Sequence, residues 1–217
     1  MISWLFEYIC GDSPIMAESL ERFLEDTECV DWTDMLVTRE TAQAITGCVT
    51  DEEKVKAIFE FVRDDISNAM NIDSVALPWT ASTTIRAMIG NDDAKAMVLA
   101  AMVRALKIPA GFCYQRLTVV DDDSEGHYLH CYNAVYLDGN WVKLDASGRL
   151  GAKDVRFCKI EPDLAFIPRE VYGECNVPGI FAEPYAPSVD VIRNAGSISD
   201  IIFGLPDSID VEPDIKE

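Results

Sequence analysis

Apolar residues recur at helical spacing through the first half of the chain, and this pattern predicts a series of amphipathic helices. It is clearest after Thr50, where one face of the predicted helix is formed by Val55, Ile58, Phe59, Val62 and Ile66. Thr50 and Glu53 have the spacing of a capping box, in which each side chain bonds the backbone N–H of the other residue. We therefore predict a helix that begins after Thr50 and packs this apolar stripe into the core.

Five weaker patterns predict further helices. They cover residues 13–26, 38–47, 81–90, 92–107 and 188–195. Thr38 has the side chain of an N-cap, whereas Gly47 and Gly90 are residues of the type that commonly ends a helix. The helix from about Asp92 to Lys107 is rich in alanine, which lets it lie close against a neighbouring sheet, and Pro109 ends it.

The period changes from helical to alternating after Pro109, as expected where strands begin. Residues 111–120 form one predicted strand, and an acidic turn follows it. The next segment, YLHCYNAVYLDGNWVKLD, predicts a β-hairpin with Asp138 and Gly139 as a two-residue type I′ turn. Helices first and strands second predict an α+β domain, with N-terminal helices packed on an antiparallel sheet.

The predicted hairpin places a histidine beside a carboxylate. Counting outward from a two-residue turn sets Tyr132 opposite Asp145. His130 precedes Tyr132 by two residues, so its side chain points to the same face as Asp145, about 7–8 Å away at the backbone. A hydrogen bond across this gap would fix the imidazole tautomer and support its protonated form. A slip of one residue would put the two side chains on opposite faces.

The start of the alanine-rich helix is the second candidate feature. A helix N-terminus offers unpaired N–H groups and a positive dipole end, which stabilise a thiolate, an oxyanion or a carboxylate. A helix N-terminus followed by a strand His and a strand Asp is the arrangement of papain-like thiol catalysis. The position of the nucleophile, however, holds Asp92. The candidate catalytic residues are thus Asp92, His130 and Asp145.

The charge balance argues against two classes of partner. Asp and Glu number 38 against 18 Lys and Arg, which gives a net charge of −20. Nucleic acid and anionic membranes both bind basic surfaces, so we predict neither as a partner. No apolar run approaches the roughly 20 residues that span a bilayer, and the apolar first residues lack the basic segment of a signal peptide.

The cysteines indicate the compartment. The chain has 7 cysteines and no C-x-x-C pair, which argues against a disulfide framework and against a structural zinc site. Free thiols are typical of a reducing compartment, so we predict a cytoplasmic location. The sequence predicts no resident cofactor and no metal ligands.

Together these segments resemble the transglutaminase-like superfamily, the broad group of papain-like cysteine peptidases and acyltransferases. Its pattern runs Gly-x-Cys-x-x-Lys, then an apolar helix ending Leu-x-Ile-Pro-Ala, then a His-bearing strand and a Trp-led strand that ends in Asp. The corresponding segments here are GNDDAKA, ALKIPAG, CYQRL and LHCYNAVYLDGNWVKLD. The resemblance covers about Phe23 to Asp207. It implies one transglutaminase-like domain over residues 1–217, with an extension over 1–22 and a flexible tail over 208–217.

The resemblance aligns the family His with His130, the family Asp with Asp145 and the family Cys with Asp92. Three interpretations of Asp92 remain open. It can be a helix N-cap in a degenerate site, or an inactivating replacement introduced at a cysteine position. It can also serve new chemistry, as a general acid or base or as one ligand of a divalent metal. In the metal case, an imidazole bonded to Asp145 has only one nitrogen left for the ion.

The function that this pattern predicts is a catalytically impaired relative that binds a peptide or small amide-bearing ligand. The alternative is an active hydrolase or acyltransferase that acts on amide or ester bonds through the same three residues with altered chemistry. Trp79, Gln115 and Arg116 are candidates for the wall of the cleft, although packing in the core or at the rim fits them equally. We expect Asp93 to be a first-turn helix acid and His127 to be exposed.

Overall fold

The computed structural model describes residues 20–69, 77–120, 122, 124–148 and 155–216. Its helices are α1 (Met35–Ala44), α2 (Asp51–Asp64), α3 (Ala81–Ala87), α4 (Asp92–Ala105), α5 (Ala186–Asn194) and α6 (Ile198–Gly204). Its strands are β1 (Ser67–Asn68), β2 (Ile89–Gly90), β3 (Ala110–Thr118), β4 (His127–Leu137), β5 (Asn140–Leu144) and β6 (Cys175–Phe181). Helices α1 to α4 precede the strands of the main sheet, so the predicted α+β order is confirmed.

The main sheet is antiparallel, with strand order β5-β4-β3-β6. In the turn between β4 and β5, Asp138 has φ 50° and Gly139 has φ 82°, and a type I′ turn requires positive values at both positions. Leu137 pairs with Asn140, as predicted. The two-residue turn and the register of the hairpin are therefore confirmed.

Helix α4 lies at the centre of the domain. It contacts α1, α2 and α3 as well as strands β3 and β4. Every residue from Asp93 to Arg104 is buried, which explains why small and apolar side chains cover nearly all sides of this helix. Asn133 on β4 donates to the carbonyl of Ala96 at 3.0 Å and fastens the helix to the sheet. This packing sets where the N-terminus of α4 meets the hairpin.

Capping side chains decide where the first helices begin. The capping box of Thr50 and Glu53 is present at the start of α2, and the predicted apolar stripe is buried, so this helix is confirmed. The predicted N-cap of α1 is wrong. Asp34, not Thr38, accepts the backbone N–H of Leu36, at 2.7 Å, so α1 begins before Thr38.

The predicted end of α3 at Gly90 is also wrong. The helix ends at Ala87, and Met88 takes a left-handed C-cap conformation with φ 53°. Gly90 lies in β2 beside the start of α4, where an added Cβ would meet the Cβ of Ala94 at 2.9 Å. This close approach of backbone to helix is the reason that a glycine is needed here.

The C-terminal segment is partly bound to the sheet. Ile215 pairs with Ile180 through two backbone hydrogen bonds, and Asp214 accepts the N–H of Ala182 at 2.8 Å. These bonds hold part of the region predicted as a flexible tail. The helix predicted over 188–195 is confirmed as α5, whereas residues 13–19 of the first predicted helix lie outside the described residues. Among the helices that the structure places, none is long and apolar enough to span a membrane.

Candidate active site

The predicted pairing of His130 with Asp145 is present. Nε2 of His130 lies 2.9 Å from Oδ2 of Asp145, and both residues are fully buried. The carboxylate of Asp145 also accepts the backbone N–H of Ser147 at 3.1 Å and that of Ala165 at 3.0 Å. These donors fix the carboxylate, and the carboxylate in turn fixes the orientation of the imidazole.

Asp92 occupies the other side of the same imidazole. Its Oδ2 lies 2.9 Å from Nδ1 of His130, and its Oδ1 accepts a hydrogen bond from Nδ2 of Asn68 at 3.0 Å. Asn68 also donates to the carbonyl of Ser147 at 3.1 Å, which links the start of α4 to the segment after β5. The structure therefore brings Asp92, His130 and Asp145 together around one ring.

Asp92 is not the N-cap of α4. Asn91 has that position, since its side chain accepts the backbone N–H of Ala94 at 3.1 Å. Asp92 is the first residue of the helix, and its carboxylate bonds side chains from β1 and β4. The interpretation of Asp92 as a helix cap is therefore wrong, because the neighbouring asparagine already caps the helix.

The two carboxylates hold the imidazole in its charged form. Burial by itself would lower the pKa of His130, but the charges and hydrogen bonds of Asp145 and Asp92 outweigh it and raise the pKa to about 10. Burial by itself would raise the pKa of Asp145, but the charge of His130 and the hydrogen-bond donors lower it to about 2. At neutral pH the imidazole therefore carries two protons and donates one N–H to each carboxylate.

Two further charged side chains are buried near the start of α4. Burial, followed by the charge of Asp92, raises the pKa of Asp93 to about 7. Nδ2 of Asn91 donates to Oδ2 of Asp93 at 3.2 Å, whereas Oδ1 has no hydrogen-bond partner among the described residues. Burial lowers the pKa of Lys95 to about 8, although nearby carboxylates oppose this. Asp93 is thus a first-turn acid, as expected, but its side chain is buried.

A cleft of about 610 Å³ opens beside Asp92. Its polar end is formed by Asn68, Asn91, Asp92, Asp93 and Ser147. Its walls are largely apolar and come from the end of β3, the start of β4, the loop at Phe166 and helix α6. The ring of Phe166 also lies against the imidazole of His130, with 4.8 Å between centroids. The side chain of Asp92 is 20% exposed, so it can meet a ligand, whereas His130 is covered.

Glu174 fastens the loop that forms one wall of the cleft. Its carboxylate accepts the backbone N–H of Thr118 at 3.1 Å and the hydroxyl at 2.7 Å. It also accepts the backbone N–H of Arg169 at 2.7 Å and the guanidinium at 2.8 Å. The bonds from Arg169 are the main reason that the pKa of Glu174 is lowered to about 2. A charged pair therefore holds this wall against β3.

The three candidates for the cleft wall are not among the described residues that line it. Gln115 is buried and donates to Oδ1 of Asn176 at 2.9 Å. Arg116 donates to backbone carbonyls at the rim, and Trp79 packs beneath the guanidinium of Arg193 at 3.9 Å. All three side chains therefore pack in the core or at the rim, which was the alternative given for them from the sequence.

Neither the second histidine nor any described cysteine is among the residues that line the cleft. His127 is half-buried rather than exposed, because its Nε2 lies 2.6 Å from the carbonyl of Tyr172. Cys113 and Cys131 are buried in the sheet, and burial raises the pKa of the Cys131 thiol well above its usual value. Free thiols are found at Cys29, Cys48, Cys131, Cys158 and Cys175.

Several residues of the site come from segments that the sequence did not single out. Asn68, Phe166, Arg169 and Glu174 lie in or near loops, and only folding brings them to α4 and the hairpin. Ser147 follows Asp145 by two residues, so its nearness to a predicted site residue could have indicated it. Loop residues carry no periodic signal, so their roles were not predictable from spacing.

The metal interpretation of Asp92 needs a free imidazole nitrogen. Both nitrogens of His130 are bonded to carboxylates. Within the described ranges, no group of three or more His, Cys, Asp or Glu side chains is arranged to hold a metal ion. The residues present do not fit a resident metal, so the chemistry of the site is that of two carboxylates and an imidazolium.

Residues 39–146 match the family model of the transglutaminase-like superfamily, and this range contains Asp92, His130 and Asp145. No curated protein matches the chain.

Similar solved structures have low identity. They include a candidate cysteine protease from Cytophaga hutchinsonii, with 19% identity, a TM-score of 0.49, and coverage of 64% of this chain and 44% of its own. A candidate protease from Parabacteroides distasonis ATCC 8503 has 19% identity and a TM-score of 0.40, with coverage of 64% and 27%. A TGase has 16% identity and a TM-score of 0.36, with coverage of 70% and 38%.

This chain matches less than half the length of each of those three structures. The family match rests instead on the continuous segment that contains α2, α4 and the β4–β5 hairpin. Residues 39–146 thus identify this chain as a member of the transglutaminase-like superfamily.

Proposed function

We propose that this protein is a catalytically impaired member of its superfamily, and that it binds a peptide or small amide-bearing ligand in the cleft beside Asp92. Thiol catalysis needs a thiolate at the start of α4, where this chain has Asp92. A carboxylate is a much weaker nucleophile toward an amide than a thiolate. The cleft, with its polar end and apolar walls, is retained as a place for a ligand.

The state of His130 is the observation that supports this proposal most. A general base needs an unprotonated nitrogen that can reach the group it activates. In His130 both nitrogens carry protons donated to carboxylates, the pKa is raised to about 10, and the side chain is fully buried. An imidazole in this state holds two carboxylates in place and does not accept a proton at neutral pH.

The charge state of the ring can be measured by ¹⁵N NMR. The chain has only two histidines, so a His127→Gln variant assigns both signals. We expect His130 to show two protonated ring nitrogens from pH 6 to pH 9, with His127 as the internal comparison. A neutral His130 ring at pH 8 would remove the main support for the proposal.

An acyl-transfer assay tests the function itself. The native chain is incubated with p-nitrophenyl acetate beside Asp92→Cys, Asp92→Asn and the double variant Asp92→Cys/His130→Ala, and adducts are located by peptide mass spectrometry. We expect the native chain and Asp92→Asn to show the same slow background on surface thiols. We expect Asp92→Cys to gain an adduct at residue 92 that depends on His130.

The second candidate function is hydrolysis or acyl transfer by acid–base chemistry. It is favoured by the exposed part of the Asp92 carboxylate, which faces the cleft while it is bonded to His130. In the same assay, with a His130→Ala variant added, this function requires native turnover that is lost in both Asp92→Asn and His130→Ala. That result would overturn the proposal of an impaired enzyme.

The free thiols support the proposal of a reducing compartment. A cytoplasmic location is the setting that we propose for the free thiols of Cys29, Cys48, Cys131, Cys158 and Cys175. Mass spectrometry of freshly isolated protein, alkylated before lysis, would show whether these thiols are reduced in the cell.

A further inference from the structure

Lys95 is a buried charged residue that the proposed function does not use. It follows Asp92 by three residues on α4 and is only 1% exposed, yet it is not among the described residues that line the cleft. A buried ammonium group is costly unless hydrogen bonds and opposite charges surround it. The partners of Lys95 therefore indicate why the fold places a charge at this position.

The hydrogen-bond partners of Lys95 are backbone carbonyls at the end of α2 and just after it. Nζ of Lys95 donates to the carbonyl of Ile66 at 2.8 Å and to that of Arg63 at 3.3 Å. The last carbonyls of a helix have no partner within the helix, and the helix dipole favours a cation beside them. Lys95 thus holds the end of α2, and the two residues of β1 follow Ile66 directly.

The start of α4 holds β1 at a second point. Oδ1 of Asp92 accepts a hydrogen bond from Nδ2 of Asn68, the last residue of β1, at 3.0 Å. Asp92 and Lys95 are three residues apart, so their side chains are neighbours on the helix surface. One side of α4 therefore bonds both the carbonyl that precedes β1 and the side chain at the end of β1.

The segment after β5 packs against the same two contacts. Gly148 has φ 62°, and a Cβ added there would lie 3.1 Å from Nζ of Lys95 and 3.0 Å from the carbonyl oxygen of Arg63. The carbonyl of Ser147 accepts a hydrogen bond from Asn68 at 3.1 Å. Residues 147–148 are thus joined to Asn68 and lie directly beside the ammonium group of Lys95.

The charges around Lys95 help to keep it protonated at pH 7. Burial lowers its pKa to about 8, and the nearby cation Arg63 acts in the same direction. The carboxylates of Asp92, Asp145 and Asp64 oppose this change. The side chain therefore remains an ammonium group, which is a stronger hydrogen-bond donor than a neutral amine.

We propose that Lys95 is a positioning residue for the candidate active site: it holds the carbonyl of Ile66 and so fixes β1, and β1 in turn presents Asn68 to Asp92. The bond from Asn68 to Oδ1 keeps Oδ2 of Asp92 facing Nδ1 of His130. The pairing of β1 with β2 covers only two residues, so the bond at Ile66 is an additional anchor. The inference concerns the geometry of the site and does not depend on a ligand in the cleft.

The proton between Nδ1 of His130 and Asp92 reports on this arrangement. Its exchange with water is measured by NMR at pH 7 in the native chain, Lys95→Met, Asn68→Ala and the double variant. Lys95→Met keeps an unbranched side chain and removes the ammonium group. We expect this proton to exchange about tenfold faster in Lys95→Met, as for the loss of one hydrogen bond, while the Nε2 proton shared with Asp145 stays slow. Unchanged exchange at Nδ1 would overturn the proposal.

The double variant distinguishes positioning from a direct effect of charge. If Lys95 acts through Asn68, Lys95→Met should change the exchange by less than about twofold once residue 68 is Ala. An effect that is equally large in the Asn68→Ala background would overturn the proposal, because the charge would then act on the imidazole directly. Lys56→Met, on an exposed part of α2, removes the same charge and should leave the exchange unchanged.

A measurement on the native chain decides the question if Lys95→Met does not fold. The side-chain amide of Asn68 should titrate with a midpoint near pH 8, where Lys95 loses its charge and its bonds to the carbonyls weaken. Asp93, with a pKa of about 7, gives a separate step at lower pH. An Asn68 amide without a step near pH 8 would overturn the proposal, whereas the proposed loss of acyl transfer is judged by the separate ester assay.

Discussion

Asp145, behind the imidazole of His130, and Glu174, in a wall of the cleft, are two buried carboxylates that resemble each other closely. Each accepts at least three hydrogen bonds, and each has a pKa lowered to about 2. They differ in the cation that they hold. Asp145 bonds the imidazole of His130, which is fully buried, whereas Glu174 bonds the guanidinium of Arg169, which is 42% exposed.

This difference separates a pair in the candidate active site from a pair that holds a loop in place. The exposed Arg169 can be hydrated if its partner is lost, so the pair with Glu174 mainly holds a loop in place. His130 has no access to water, and its charge exists only because two carboxylates surround it. A buried carboxylate therefore controls the charge of a side chain in one place, at His130, and the position of a cleft wall in the other, at Arg169.

The largest expected effect comes from Asp145→Asn. It leaves a buried imidazole with a single carboxylate, and breaking a buried pair in this way costs about 3–5 kcal/mol of unfolding free energy. Urea unfolding at pH 7, with the exposed Asp190→Asn as control, measures the loss. A cost below about 1 kcal/mol would show that the pair with His130 is not the stabilising contact described here.

The next largest effect is the pH dependence of stability, which differs between His130 and the two carboxylates. The folded pKa of His130 is raised, so its contribution is complete below its unfolded value near 6.5 and is lost as pH rises through about 10. The contributions of Asp145 and Glu174 are present above about pH 4 and are lost as pH falls through about 2.

Unfolding free energies of the native chain and His130→Gln, measured from pH 6 to pH 10.5, test this difference. Their separation should shrink toward alkaline pH. A separation that stays constant over this range would mean that the ring is neutral in the folded protein.

Glu174→Gln should have an intermediate effect. It keeps the shape of the side chain but removes the charge that Arg169 and Thr118 bond, which costs about 1–3 kcal/mol. The loop around residue 170 should exchange its amide hydrogens faster, while the titration of His130 stays as in the native chain. A shift in that titration would show that the two pairs are coupled.

Asp92→Asn is expected to have the smallest effect on stability, about 1 kcal/mol, because this side chain is partly exposed and His130 keeps its bond to Asp145. The pKa of His130 should fall while staying above its usual value. Urea unfolding and ¹⁵N NMR measure the two quantities. A loss as large as that of Asp145→Asn would show that Asp92 and Asp145 contribute equally to the free energy of unfolding.

The features that could be predicted from the sequence share one property, which is short range along the chain. The capping box of Thr50 and Glu53 joins residues three apart, and the turn at Asp138 and Gly139 sets the register of the hairpin by itself. That register was enough to place His130 and Asp145 on one face. The helix start predicted at Thr38 and the helix end predicted at Gly90 were wrong, because Asp34 and Met88 cap these helices instead.

The sequence by itself determined the order of helices and strands, the hairpin and its histidine–aspartate pair, since each depends on hydrogen bonds and side-chain periods within a few residues. Only the tertiary structure decided that Asp92 reaches the second nitrogen of His130, that Asp93 is buried beside it, and that Asn68 and Glu174 join the cleft. Those contacts depend on how α4 packs between three helices and the sheet. Burial and the approach of like and unlike charges, which set the pKa values, exist only after that packing is complete.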